Sequence, residues 1–249
     1  MDEGVRAMLR VRFPKVRIVQ GRCGTGGEPQ TGELREAFEQ AEFMLHGSGP
    51  SIVGQQALTA WRAFTGKPYG VYGVTTQDVN PELADLLSGA EFIFTRETHS
   101  LKKLEAAKVF RPLKAFGPDG TFAIDVLDEA RATTFLKDSG LVEGEFICVV
   151  PRLRYTPYHK IRKVNWSEEE IARKEQHNAR YAEQDHAKFR EVIVRWVRDT
   201  GRKVLICPEM TYQLDIIGPL LVDPLPHDVL PHVVARKTYW GPDEAASVY

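Results

Sequence analysis

Two arginines stand where short apolar runs end. Arg96 follows Phe92-Ile93-Phe94-Thr95, and Arg152 follows Phe146-Ile147-Cys148-Val149-Val150 and Pro151. A guanidinium matches a carboxylate or a phosphate with two parallel hydrogen bonds, so arginines at strand ends fit capture of a small anion. Arg96 also has a plainer reading, as a brace for the sheet edge beside Glu97. Asp119, after Gly117-Pro118, either positions a hydroxyl group or closes a turn. Ser100 is read as a helix N-cap or a ligand. The loop His46-Gly47-Ser48-Gly49-Pro50-Ser51 lies between an apolar strand and an amphipathic helix. That arrangement lets backbone N–H groups and a helix N-terminus meet an anion, although a tight βα turn needs the same glycines. His46 is read as a donor to phosphate or as a packed strand-end histidine.

The elements that must position these groups follow from hydrophobic periodicity. Residues 2–13 form a helix with Val5, Met8, Leu9 and Val11 on one face, and residues 16–19 a strand. Residues 34–42 read as a helix, 43–45 as a strand, and 55–64 as a helix carrying Leu58, Trp61 and Phe64. Strands at 69–74, 92–94 and 113–116 alternate with helices at 81–87 and after Ser100. This rhythm predicts a parallel sheet covered on both faces, with ligands outside the carboxyl ends of its strands. A helix at 127–137 precedes a polar boundary at 139–145. A second set begins with the strand at 146–150 and a long polar segment to Trp166, in which Tyr158 and His159 suit sugar stacking. A helix capped by Ser167 and Glu170 then runs to Thr200. A strand at 204–206 and a terminal helix at 244–249 complete the reading.

The bulk properties narrow the function classes. Of 249 residues, 34 are acidic and 33 basic, giving a formal net charge of −1. Nothing there points to nucleic acid. No apolar run approaches the roughly 20 residues of a membrane span, and the charged N-terminus lacks a signal-peptide core, so a cytoplasmic protein is expected. Cys23, Cys148 and Cys207 are widely spaced and are expected as buried, reduced thiols. The glycine-rich loop at 21–32 lacks the Lys-Ser/Thr of a phosphate cradle and is read as a connection. The histidines show neither HxxxH nor HxH spacing, so no metal is expected, and His177 and His186 are read as solvated.

Taken in order, three stretches resemble the polysaccharide pyruvyl transferase family. FMLHGSGPSIVG at 43–54 is similar to that family's strand and small-residue loop. Residues 92–119 resemble its strand, Arg-acid-x-x-Ser turn, Leu-bearing helix and Pro-Asp, here Arg96-Glu97-Thr98-His99-Ser100, Leu104 and Pro118-Asp119. Residues 146–152 resemble the strand ending in Arg that opens the second domain. The resemblance implies an α/β fold of two Rossmann-like domains with parallel sheets, of glycosyltransferase-B type. The domains would span 1–140 and 141–249, the second incomplete. It implies a transferase that moves the pyruvyl group of phosphoenolpyruvate onto saccharide hydroxyls as a ketal, in polysaccharide biosynthesis and with no cofactor. Arg152 and Arg96 would hold the donor anion and Asp119 an acceptor hydroxyl, with Ser100, His46, Gly47, Ser48 and Gly49 as further substrate contacts. Asp2-Glu3 resembles the tail of a Gly-Asp-Glu motif. The family's histidine, taken as general acid or base, has no counterpart, which leaves the catalytic group unassigned and reads as a segment trimmed at both ends. Two alternatives stand beside this. A nucleotide-sugar glycosyltransferase of the same architecture would need a base and ribose pocket, for which no acidic residue is clearly placed. A non-catalytic saccharide-binding relative would explain the absent histidine.

Overall fold

The computed structural model describes residues 3–24, 27–123, 125–161 and 164–249. Asp2, and Thr25 and Gly26 of the glycine-rich loop, lie outside them, as do the side chains of Glu3, Val5 and Met8. The chain forms two compact units, Met1–Asp125 and Val126–Tyr249, each α/β with its own parallel sheet. No helix among the described residues is long and apolar enough to cross a membrane.

The first unit opens with α1 (Glu3–Arg12) and α2 (Gly32–Gln40). Between them residues 16–19 form no strand; among the described residues of this stretch the one ladder contact is an isolated bridge from Cys23 to Pro29. Then come β1 (Met44–His46), α3 (Gln55–Thr65), β2 (Tyr69–Val74), α4 (Pro81–Ser88), β3 (Phe92–Thr95), α5 (Thr98–Ala106) and β4 (Leu113–Phe116). The boundaries have local causes. Asn80 caps α4 through Leu83 N–H, with Pro81 at its first position, and Gly66 ends α3 at φ 63°.

Sheet order is β1-β2-β3-β4, the order of the chain. Successive crossovers of one hand then place all three connecting helices on the same face. Leu58, Trp61, Leu86, Leu87 and Leu104 accordingly pack with Val71 and Ile93 in one buried cluster. The expectation of a sheet covered on both faces is therefore corrected. On the opposite face Leu45 and Leu113 are 58% and 65% exposed. An aromatic row crosses it, Phe43 stacked on Phe92 at 6.0 Å and Phe94 against Phe92 at 5.1 Å.

The second unit contains α6 (Glu129–Ser139), β5 (Ile147–Val149), a one-turn α7 (Tyr158–Ile161), α8 (Glu168–Thr200) and β6 (Val204–Ile206). It continues through α9 (Gln213–Ile217), a π turn at Gly218–Val222, β7 (Val233–Ala235) and α10 (Pro242–Val248). Its sheet order is β5-β6-β7, all parallel, and all three residues of central β6 are fully buried. Here both faces are covered. Ile193 and Val197 of α8 and Ile217 of α9 pack on Val204 and Ile206, while Ala132 of α6 and Val248 of α10 pack on Leu205 and Cys207.

That packing moves the division between the units. A boundary after residue 140 would place α6 in the first unit, but α6 packs on α10. Asp128 N–H also donates to Ser247 Oγ at 2.8 Å and to the Asp243 carbonyl at 3.3 Å. The break at Asp125 leaves α6 with the sheet it covers. A buried ion pair reinforces α10: Arg236, just after β7, meets Glu244 at 2.8 Å, their side chains 10% and 6% exposed. The Arg236 guanidinium lies 4.7 Å from the Phe135 ring centre and 4.4 Å from that of Trp240.

Three further expectations change. His186 is not solvated: it is fully buried, with Nδ1 2.7 Å from the Ala182 carbonyl one helical turn back. His177 packs between Tyr155 and Tyr181. Cys23 and Cys207 are buried, whereas Cys148 is exposed on edge strand β5.

Candidate functional site

The carboxyl ends of the first unit's strands gather most of the singled-out residues. The gathering begins at Gly73, whose φ of +67° accompanies a register shift in β2 between Tyr72 and Val74. The loop after β1 keeps the β1 register onward along β2: Gly49 N–H donates to the Gly73 carbonyl at 3.3 Å and Thr75 N–H to the Gly49 carbonyl at 3.0 Å. Ser48 is thereby brought under residue 120, and its Oγ accepts the Gly120 N–H at 2.6 Å.

Gly73 has no room for a side chain. A Cβ there would collide with Ser48 Oγ and lie 3.3 Å from the Pro118 carbonyl, whereas one on Gly47 would meet nothing within 4 Å. Gly73→Ala is therefore expected to cost about 1–3 kcal/mol from backbone strain alone, and to displace Ser48 from Gly120. Gly47→Ala should stay within about 0.5 kcal/mol of the parent. Urea denaturation of the two variants checks the contrast.

Arg96 is fixed from two sides. Its Nε donates to Thr75 Oγ1 at 2.8 Å and its Nη1 to Asp119 Oδ2 at 2.5 Å. The two side chains of the pair are 29% and 18% exposed. Nη2 has no hydrogen-bond partner among the described residues. Asp119 Oδ1 accepts from both Thr121 N–H and Thr121 Oγ1 at 3.0 Å. The Thr121 N–H, followed by Arg96, holds its carboxyl below the usual carboxylate range. Asp119 is thus an ionised acceptor in a fixed orientation. It is a poor proton donor near neutrality.

His46 shapes the loop. Its Nε2 accepts the Gly54 N–H at 2.9 Å just ahead of α3, which assigns the ring proton to Nδ1. Burial pushes its pKa down, and Nδ1 has no hydrogen-bond partner among the described residues. The unfolded imidazole then binds a proton more readily than the folded one. Stability from this group is full above the ordinary histidine value of about 6.5 and falls as pH drops below it. Replacing His46 with Leu is expected to flatten the fall in denaturation free energy between about pH 7 and pH 5, measured against the parent.

Ser100 is fully buried and is not the cap of α5. Glu97 caps that helix, accepting the Ser100 N–H at 3.0 Å. The Ser100 hydroxyl accepts Thr76 N–H at 2.7 Å and also contacts the Glu97 carboxylate. Its hydrogen-bonding capacity is used inside the protein, in tying the loop after β2 to α5. The adjoining cleft, of about 230 Å³, is lined by Pro50, Ser51, Thr75, Thr76, Gln77 and Asp78 among others. Sequence reasoning passed over Thr75-Thr76-Gln77-Asp78, although four polar residues directly after an apolar strand were a visible signal.

Arg152 belongs to the second unit. It is exposed after β5 and forms no ion pair among the described residues. The loop that carries it is held by Gln213, which is 1% exposed. Gln213 Nε2 donates to the Pro151 carbonyl at 2.5 Å, and its Oε1 accepts Glu209 N–H at 2.6 Å and Met210 N–H at 2.7 Å. Tyr158 and His159, expected to stack on sugars, pack against Trp166 at 6.2 and 6.1 Å between ring centres. Trp166 in turn carries Lys174 Nζ 3.4 Å from its ring centre. No three His, Cys, Asp or Glu among the described residues converge on a possible metal site.

Compared with family models and with curated proteins, the chain matches none.

Proposed function

We propose that the chain is a pyruvyl transferase of the two-domain, Rossmann-like kind, with the donor anion, phosphoenolpyruvate, held at the first unit's sheet edge. The observation that carries this reading is Arg96, pinned by Thr75 and Asp119 so that Nη2 has no hydrogen-bond partner among the described residues. A fixed guanidinium loses little side-chain freedom on binding, and it presents a charge-assisted donor to carboxylate or phosphate. The cleft of about 230 Å³ lies below the roughly 300–1,000 Å³ of drug-sized pockets. Of the groups that fix Arg96, Thr75 lines that cleft.

Chemically, two saccharide hydroxyl oxygens bond to the enol carbon, the bond from that carbon to the phosphate oxygen breaks, and the methylene becomes a methyl group. One hydroxyl proton is balanced by the proton gained at carbon and the other leaves with phosphate. Asp119, held ionised, suits acceptance of a hydrogen bond from the incoming hydroxyl. It does not suit protonation of the methylene, for which the sequence offers no counterpart to the family's histidine. On titration with phosphoenolpyruvate, the amide resonances of Gly49, Thr75, Arg96, Gly120 and Thr121 are expected to shift together with one affinity. Shifts confined to other parts of the chain would overturn the placement.

A further inference from the structure

The second unit contains a cleft of about 430 Å³ that the pyruvyl-transfer reading does not use. Three elements build it. Leu153, Pro157 and Lys160 come from the segment after β5, Glu175, Asn178, Ala179 and Ala182 from α8, and Tyr212, Asp215, Ile216, Pro219 and Leu220 from α9 and the π turn. The small side chains of Ala179 and Ala182 on the α8 face leave the space open. Its walls are mainly apolar, and its volume lies within the range of about 300–1,000 Å³ that holds compact organic ligands.

The polar groups around it differ in whether they are already engaged. Asn178 is engaged: its Oδ1 accepts Tyr155 N–H at 2.9 Å and its Nδ2 donates to the Tyr155 carbonyl at 2.7 Å, so both ends of the amide serve the loop. Glu175 is met by Lys160 at 2.9 Å and by His159 at 3.2 Å. The Asp215 carboxylate, in contrast, is solvent-exposed with no protein partner among the described residues, and the Tyr212 hydroxyl is used only as acceptor of the Leu153 N–H, at 3.4 Å. Asp215 and Tyr212 stand three residues apart at the start of α9, a spacing that puts two side chains on one helix face. The lining therefore offers apolar walls, an internally neutralised Lys–Glu pair and, from one helix face, an exposed carboxylate without a protein counter-charge together with a phenol oxygen.

We infer that this cleft binds a compact organic ammonium with an apolar ring body, its N–H groups donating to Asp215 and to the Tyr212 oxygen. An anion would meet Asp215 unfavourably, and a neutral ring of the same shape would forgo the charge-assisted bond.

The test is a set of three isosteric titrations of the full chain, with benzylamine, benzyl alcohol and phenylacetate. Benzylamine is expected to bind saturably and at least about tenfold more tightly than the alcohol, one charge-assisted hydrogen bond being worth that ratio or more; phenylacetate should not bind. Asp215→Asn should abolish the preference for the amine. Ala179→Phe, at an exposed helix position, should close the cleft to amine and alcohol alike, while binding of phosphoenolpyruvate is unchanged in both variants. Equal binding of amine and alcohol, a preference that survives Asp215→Asn, or no binding of benzylamine would each overturn the inference. Loss of phosphoenolpyruvate binding in the parent chain would count against the first-unit site and leave this one standing.

Discussion

Arg96→Ala is expected to weaken phosphoenolpyruvate binding by about tenfold to a hundredfold, the equivalent of roughly 1.5–3 kcal/mol for a hydrogen bond to a charged group. The reason is positional. Arg96 is held by Thr75 Oγ1 and Asp119 Oδ2 with one guanidinium nitrogen left over, so truncation removes the donor and frees Asp119 to repel the anion. Arg96→Lys keeps a charge but cannot reach both anchors in the same plane, so it should recover only part of the affinity. The fold should survive both changes, because Asp119 keeps its two bonds from Thr121 and the pair is not fully buried. A far-ultraviolet spectrum and a melting curve establish that. Unchanged affinity in a folded Arg96→Ala protein would reduce the residue to a brace for the sheet edge.

The largest stability effect should come from Arg236→Met. Removing the arginine leaves the Glu244 carboxylate, 6% exposed, with Arg131 at 3.6 Å as its one remaining ion-pair partner among the described residues. Breaking a buried pair from one side costs about 3–5 kcal/mol, because the remaining charge is stranded in a poorly solvated place. The change also takes away a cation that lies against both Phe135 and Trp240. A drop in melting temperature of ~10 °C is expected in the transition of the second unit. Adding Glu244→Gln should return much of the loss, since a neutral amide tolerates the site better than an unpaired carboxylate. A double variant as unstable as Arg236→Met would show that the aromatic contacts, and not the charge pair, hold α10.

Much of this architecture was legible because it rests on local chemistry. Alternation and apolar runs located β2 and β4, and Ser167 with Glu170 marked the start of α8 where Ser167 does cap it. Gly201 marked its end, at φ 66°. The misses arose where distant residues decide. Nothing near α6 tells which sheet its Ala132 will cover, so the division between units was set too late in the chain. The short strand Val233–Ala235 went unseen, three residues between prolines and polar positions that become a strand only by pairing with β6. His186 looks solvated in a charged sequence, yet α8 runs along a core and its inner stripe is buried whatever the neighbours' charges. At the site, Arg96 and Asp119 were singled out 23 residues apart on chemical type, and the fold brings them together. Ser100 was misread because an acidic residue, Glu97, took the cap three positions earlier.

The most direct measurement is a calorimetric titration of the chain with phosphoenolpyruvate, run beside a nucleotide sugar. The account predicts saturable, one-site binding of phosphoenolpyruvate, weakened in Arg96→Ala, and no heat of binding from the nucleotide sugar. Saturable binding of the nucleotide sugar without phosphoenolpyruvate binding would contradict it and favour a glycosyltransferase.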